Sequence, residues 1–285
     1  MEQNNEIQVK FSPDLYFRRS ISPHPVNSEF VLHNHRDMIE ILIFIRGDAE
    51  FRVEGSTYKL KPFDTVIASN FEMHKIVHLS DTEYERIVIT IPADFFEKNN
   101  CVEYADLIYS RPLGVNNLIP YDITKNTYFL STVNRLELYI SDEGCNSIIA
   151  VSAMIELLYI LNKCSKKTIL NENNNKFIKN IILYINDNLT SNLSLEKIAD
   201  QFYINKSYLC RMFKKNTGYT INKYITHKRL MLVRELCSTD MSLTEACIEA
   251  GFGNYSNFYK MYVKETGTSP RKELKKSTDD CKPFL

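Results

Sequence analysis

The strongest constraint on this chain is that it says nearly the same thing twice. Gln201 to Thr220 reads QFYINKSYLCRMFKKNTGYT, and Ala250 to Pro270 reads AGFGNYSNFYKMYVKETGTSP. Each stretch follows a short segment opened by Ser194 or Ser242, a residue type whose side chain accepts a hydrogen bond from the free amides of a helix start. Ser242-Leu243-Thr244-Glu245 also has the spacing of a capping box. Leu195, Ile198, Ala199 and Phe202 fall on one helical face, and Leu243, Ala246, Cys247 and Ala250 answer them in the second copy. After a brief turn comes a second helix, capped by Asn205 or Asn254, in which Leu209, Met212 and Phe213 match Phe258, Met261 and Tyr262. Both second helices stop at a glycine, Gly218 or Gly267, the residue best suited to a left-handed C-cap. From Lys176 to about Leu274 no strand-like alternation intervenes. The region therefore reads as all-α, with helix-turn-helix units over about 194–217 and 242–266.

Helix pairs with a glycine stop also occur in all-α domains that never touch DNA, and three features favour DNA here. The outward positions of the second helices carry Lys206, Arg211, Lys214 and Lys215 in one copy and Lys260 and Lys264 in the other, a phosphate-binding face on both. Ser207 and Ser256 sit in the first turn, where a recognition helix meets base edges. Between the copies, TINKYITHKRLMLVRELC reads as one long helix over Thr220 to Ser238, a strut that holds the two units at a fixed separation.

Charge divides the chain in the same place. The whole carries 35 Lys and Arg against 35 Asp and Glu, yet residues 176–285 hold 18 against 11, a net +7, and residues 1–175 hold 17 against 24, a net −7. That asymmetry is expected when one half alone meets a polyanion. Seven scattered cysteines without a C-x-x-C pair read as reduced packing residues of a cytosolic protein. The polar amino terminus has no signal-peptide core, and no uninterrupted apolar run approaches the length of a membrane span, so a cytoplasmic protein with no membrane partner is expected.

Residues 1–170 have a different texture. The runs IEILIFI, AEFRVEG, STYKL, DTVIAS and YERIVITI, broken at Gly47, Glu54-Gly55 and Pro62, predict short antiparallel strands in a small barrel or sandwich. After Pro120 the spacing changes to three and four residues, predicting amphipathic helices over Asn126 to Ile140 and Ser147 to Lys163 that can pack as a hairpin. The polar, Asn-rich stretch ending at 171–175 reads as the linker to residues 176–285.

Residues 176–274 resemble the DNA-binding domain of the AraC/XylS family of bacterial transcription regulators. The residues that carry the resemblance are Ile198-Ala199, Ser207-Tyr208-Leu209, Arg211-Met212-Phe213-Lys214-Lys215, Gly218, Tyr224 and Arg229-Leu230. In the second copy they are Gly251-Phe252, Ser256, Phe258, Tyr262, Lys264, Gly267 and Ser269-Pro270. The resemblance implies about seven helices and two recognition helices entering successive major grooves of double-stranded DNA. Lys206, Ser207, Cys210 and Arg211 would face the first groove, and Tyr255, Ser256, Tyr259 and Lys260 the second, with Lys214 and Lys264 on phosphates. It further implies a small-molecule effector, with carbohydrate sensing a common role, contact with RNA polymerase, and a homodimer through the helices at 126–163. Two departures stand out: Tyr203 occupies a turn position where glycine is usual, and Glu273-Leu274 replaces an aromatic-Arg pair.

The amino-terminal half carries His33-x-His35-x4-Glu40-x6-Gly47, followed by Asp64 and His74. This spacing resembles the two motifs of the cupin barrel, although Phe63 and Ser69 stand where glycine and proline are usual. His33, His35, Glu40 and His74 are thus expected to line an effector pocket, with no cofactor required. Three imidazoles and a carboxylate would also suit a divalent metal, so the alternative is a metal-dependent enzyme or metal sensor fused to a DNA reader. His24, His78 and His227 belong to no such constellation. The expected fold is α+β in two domains: a cupin-like antiparallel β-barrel with flanking helices, then an all-α domain with two helix-turn-helix motifs.

Overall fold

The computed structural model describes residues 6–12, 15–23, 38–142, 147–167, 176–238, 241–266 and 269–270. The chain divides into two compact units, 1–173 and 174–285.

In the first unit the strands are β1 (Glu6–Ser12), β2 (Leu15–Ser22), β3 (Met38–Arg46), β4 (Ala49–Val53), β5 (Ser56–Lys59), β6 (Thr65–Ala68), β7 (His74–His78), β8 (Tyr84–Pro92) and β9 (Leu118–Ile119). Six form a sheet in the order β1-β2-β8-β3-β6-β9, and three form another in the order β5-β4-β7. All the pairings are antiparallel. Strand alternation sorts the core into two layers. Ile39, Ile41 and Ile43 of β3 join Ile67, Ile87, Ile89 and Ile91 in a cluster that takes in the helices α4 (Phe129–Ser141) and α5 (Ser147–Ser165). Leu42 and Phe44 point the other way and pack with Phe51, Val53, Tyr58, Val66 and Ile76, filling the space between the two sheets. No strand among the described residues hydrogen-bonds one sheet to the other. The expected cupin-like antiparallel barrel is present as an open pair of sheets.

Three short helices, α1 (Phe95–Lys98), α2 (Asp106–Tyr109) and α3 (Tyr121–Thr124), connect the strands to α4. By length and composition alone α5 could cross a membrane, with a mean hydropathy of 1.5, although Glu156 interrupts its apolar run. Its apolar residues have another partner: Ala150, Met154, Leu157, Leu158 and Leu161 are buried in the core shared with α4 and the larger sheet.

A buried ion pair organises the end of this core. Arg111 donates from Nη1 to Glu72 Oε1 at 2.7 Å and from Nη2 to Oε2 at 2.8 Å. The same carboxylate accepts from the amides of Ser69 at 2.9 Å and Gly114 at 2.7 Å, and from the Asn117 side chain at 3.0 Å. Gly114 has φ +71°, and a Cβ there would lie 2.7 Å from that of Glu54, so only glycine fits. Burial works against the charged Glu72, but the Arg111 hydrogen bonds and charge, with the two amides, hold its carboxyl below the usual range.

The second unit contains six helices among the described residues: α6 (Lys176–Asp187), α7 (Leu195–Gln201), α8 (Lys206–Thr217), α9 (Ile221–Ser238), α10 (Leu243–Glu249) and α11 (Tyr255–Thr266). The seventh expected helix, after Pro270, and the glycine stop at Gly267 lie outside the described residues. α9 is common to both halves. Phe213 of α8 meets Tyr224 of α9 at 5.8 Å between ring centroids, and the Arg234 guanidinium of α9 lies 5.5 Å from the ring of Tyr262 on α11. Arg229 donates from Nε to the Leu189 carbonyl at 2.9 Å and from Nη2 to that of Ser191 at 2.7 Å, fastening α9 to the segment that follows α6.

Removing one partner of a buried, fully hydrogen-bonded pair leaves the other uncompensated. Glu72→Ala is therefore expected to cost about 3–5 kcal/mol in chemical denaturation. Because its folded pKa is depressed, the Glu72 contribution is full above the unfolded carboxylate pKa and is lost as pH falls through the folded value. The stability gap between wild type and variant should accordingly narrow in acid.

Candidate nucleic-acid interface and barrel interior

The two helix pairs are built by the local devices their sequences announce. Ser194 Oγ accepts from the Lys197 amide at 3.2 Å, and Asn205 Oδ1 from that of Tyr208 at 2.7 Å. Ser242 completes the capping box with Glu245, and Asn254 Oδ1 accepts from the Asn257 amide at 2.9 Å. Gly218 closes α8 in the left-handed conformation at φ +85°. Ile198 and Ala199 of α7, and Leu209 and Phe213 of α8, are buried. In the second pair Ala246, Cys247, Ala250, Phe252, Phe258 and Tyr262 form a core with Leu230 and Val233 of α9. Met261, paired with Met212 by sequence, departs from the pattern: it is exposed, while Met212 is half-buried.

Burying those stripes turns the opposite stripes outward. On α8 Lys206, Ser207, Arg211, Lys214 and Lys215 are exposed, and Cys210 is half-buried. The Arg211 guanidinium lies 6.0 Å from the centre of the Tyr208 ring. On α11 Ser256, Tyr259, Lys260 and Lys264 are exposed, and half-buried Tyr255 packs against Phe258 at 5.7 Å and Tyr259 at 6.3 Å. One contact was not legible in the sequence: Lys206 Nζ sits 2.6 Å from Glu196 Oε1 of α7, tying the starts of the two helices together.

The two turns differ. Tyr203 and Gly251 each stand eight residues after the first residue of their unit's first helix, and both are left-handed, at φ +54° and +87°. A Cβ at Gly251 would come within 3.0 Å of Arg229 Nε and of the Leu189 and Thr190 carbonyl oxygens. The cap of α8, Asn205, follows Tyr203 by two residues, whereas Asn254 follows Gly251 by three. The second turn is one residue longer.

In the first unit Glu40 lies on the same face of β3 as Leu42 and Phe44, opposite Thr90 of β8. His74, at the start of β7, is also buried. The structure brings these two predicted pocket residues together, with His74 Nε2 3.7 Å from Glu40 Oε1. His74 Nδ1 lies 2.9 Å from the Glu72 carbonyl oxygen, and its ring stacks on Phe51 at 5.4 Å. Burial works against a charged imidazole here, yet the nearby Glu40 carboxylate and the Glu72 carbonyl outweigh it and raise the His74 pKa. His33 and His35 lie outside the described residues.

Asp64 serves the fold instead, accepting from the amides of Lys61 and Tyr121 at 2.9 Å each. Phe63, standing where cupins use glycine, keeps the left-handed conformation at φ +67°. Among the described residues no group of three or more His, Cys, Asp or Glu is placed to hold a metal. Glu40 and His74 supply two donors, short of a complete site. Sequence reasoning missed His78, Tyr84 and Arg86. His78 packs edge-on against Tyr84 at 4.5 Å, with its pKa pushed down to about 4 by burial and by the Arg86 charge. The Arg86 guanidinium lies 5.5 Å from the centre of the Tyr84 ring. Only their convergence from β7 and β8 reveals them as a cluster.

A helix-turn-helix domain family matches residues 198–276. The HTH-type transcriptional activator RhaS of Escherichia fergusonii is 24% identical over 276 residues, covering 95% of this chain and 96% of the relative. RhaS of Enterobacter sp. (strain 638) is 24% identical over 287 residues with the same coverage. The crystal structure of ToxT from Vibrio cholerae O395 is 15% identical, covering 93% of this chain and 99% of that one, with a TM-score of 0.39.

Arginine bonds guanine bidentately in the major groove. Arg211→Ala should therefore relax preference at one base pair by about tenfold. Lys264→Ala should weaken all sequences alike and reduce the salt slope by about one. Titrations of single-base-pair variants of a bound duplex at several salt concentrations separate the two effects.

Proposed function

We propose that this chain is a DNA-binding transcription regulator of the AraC/XylS family: a small-molecule effector binds residues 1–170, and residues 176–285 read two successive major grooves of double-stranded DNA. The observation that carries this reading is the pair of capped helix-turn-helix units built on one shared helix, each with an aromatic stripe buried and a polar, basic stripe exposed. Arg211 reads bases. Lys206, Ser207 and Cys210 on α8, and Tyr255, Ser256, Tyr259 and Lys260 on α11, complete the two faces, and Lys214 and Lys264 hold phosphates.

The effector site is centred on the Glu40–His74 pair between the sheets, with His33 and His35 as its further expected residues. A carboxylate and an imidazole facing an otherwise apolar interior suit a small polyhydroxylated molecule of the carbohydrate class. The exposed apolar residues Leu138 of α4 and Ile148, Ile149 and Tyr159 of α5 form the homodimer contact. The output is activation through contact with RNA polymerase in the cytoplasm. The Glu40–His74 juxtaposition also keeps a second reading in view, a metal-dependent barrel. Elemental analysis of the purified protein separates the two, because stoichiometric metal with turnover would replace the sensor reading.

A rigid pair of readers on one face of the duplex requires segments one helical turn apart, about 10 bp centre to centre. Inserting about 5 bp between the segments should abolish joint engagement, and a footprint that tolerates the insertion would leave a single repeat as the reader. His35→Ala and His74→Ala should alter the effector response while basal DNA affinity stays intact. Leu138→Asp with Ile148→Asp should convert dimer to monomer in sedimentation.

A further inference from the structure

The equivalence of Tyr203 and Gly251 exposes an anomaly at the first turn. Both positions adopt positive φ, which costs glycine nothing but strains a side chain with a Cβ, an aromatic one especially. Residues in such conformations persist where something compensates. Inside the protein nothing of that kind is visible in packing, since Tyr203 is 96% exposed, the most exposed of the described large apolar side chains. The backbone of the turn is determined without the ring: the Tyr203 amide donates to the Asp200 carbonyl at 3.1 Å, the Ile204 amide to that of Ala199 at 3.0 Å, and Asn205 caps α8. Glycine would satisfy all of these bonds and relieve the strain. The tyrosine is therefore an addition to the turn, directed at something outside the chain.

Its surroundings indicate what. Tyr203 precedes the first residue of α8 by three positions, next to a surface carrying Lys206, Ser207, Tyr208 and Arg211, all exposed. That cationic and polar surface is complementary to a polyanion. Tyrosine hydroxyls are among the groups that bind phosphate oxygens and fix a protein's register on a duplex. We propose that Tyr203 is a DNA-backbone contact of the first helix-turn-helix unit, its hydroxyl donating to a phosphate oxygen and its ring covering the adjoining deoxyribose, at the edge of the groove entered by α8. This contact rests on the DNA-reading role of α8 and adds to it a clamp that the second unit, with Gly251, does not have.

The test uses the full-length protein and a duplex selected by the wild-type chain from a randomised pool. Tyr203→Gly should raise the melting temperature by about 4 °C as strain is relieved, and weaken binding of the selected duplex by about fivefold. The salt slope should be unchanged, because no cation is removed. Tyr203→Phe, which keeps the ring and the strain but loses the hydroxyl, should lose part of that affinity without gaining stability. Wild-type affinity in Tyr203→Gly overturns the proposal. If transcription fails at unchanged affinity, the ring belongs to a protein partner, which also overturns it. Arg211→Ala in the same assay separates the two readings. If Arg211→Ala weakens binding and Tyr203→Gly does not, the clamp fails alone, whereas a wild-type chain that selects no sequence sinks both.

Discussion

Phe213 of α8 packs edge-on against Tyr224 near the start of α9, and Tyr262 of α11 lies beneath the Arg234 guanidinium farther along it. A single helix thus supplies part of the floor for both recognition helices. Helices of twelve residues, such as α8 and α11, are marginal in isolation and hold their shape through the face they bury. Sharing the floor makes burial and presentation one event: when the aromatic stripes are in place, the basic stripes have one outward direction. Arg229 extends the arrangement to the segment after α6 through two carbonyl contacts, and a Cβ at Gly251 would press on the same guanidinium.

The amino-terminal unit solves a related problem with a sheet. The period of two in β3 sends Ile39, Ile41 and Ile43 toward the helices and Leu42 and Phe44 toward the smaller sheet. A polar residue at an even position must then enter the space between the sheets, and Glu40 does. Next to it His74 contacts, through Nδ1, the main chain of Glu72, whose carboxylate is gripped by Arg111 and the amides of Ser69 and Gly114. The Glu40–His74 pair therefore rests against a segment with little freedom to move.

Much of this was legible in the sequence, for identifiable reasons. Short apolar and β-branched runs broken by turn residues revealed β3, β4, β5, β6 and β8, and helical spacing placed α4 and α5 closely, because both signals are local. β7 escaped, since HKIVH mixes polar and apolar residues without a clean period, and α1 to α3 are a single turn each. The caps at Ser194, Asn205, Ser242 and Asn254 were readable because a cap acts within three residues. The Glu72–Arg111 pair joins residues 39 positions apart, and Lys206–Glu196 depends on how two helices cross, so neither carries a local signature. The glycine missing at position 203 was visible, but not whether the backbone would yield. It keeps the left-handed conformation and accepts the tyrosine.

The extra residue between Gly251 and Asn254 makes the two helix-turn-helix units unlike each other in the link that aims the recognition helix. One helix leaves its turn directly, the other after an additional step, and their outward residues differ as well, with Arg211 on α8 and Tyr259 and Lys260 on α11. Two readers related by a twofold axis would fit a duplex equally well in either direction, and two unlike units cannot be so related. This chain distinguishes left from right along the helix axis, so a single bound subunit gives its site a polarity. Anything else attached to that subunit then faces upstream or downstream according to which strand carries the site.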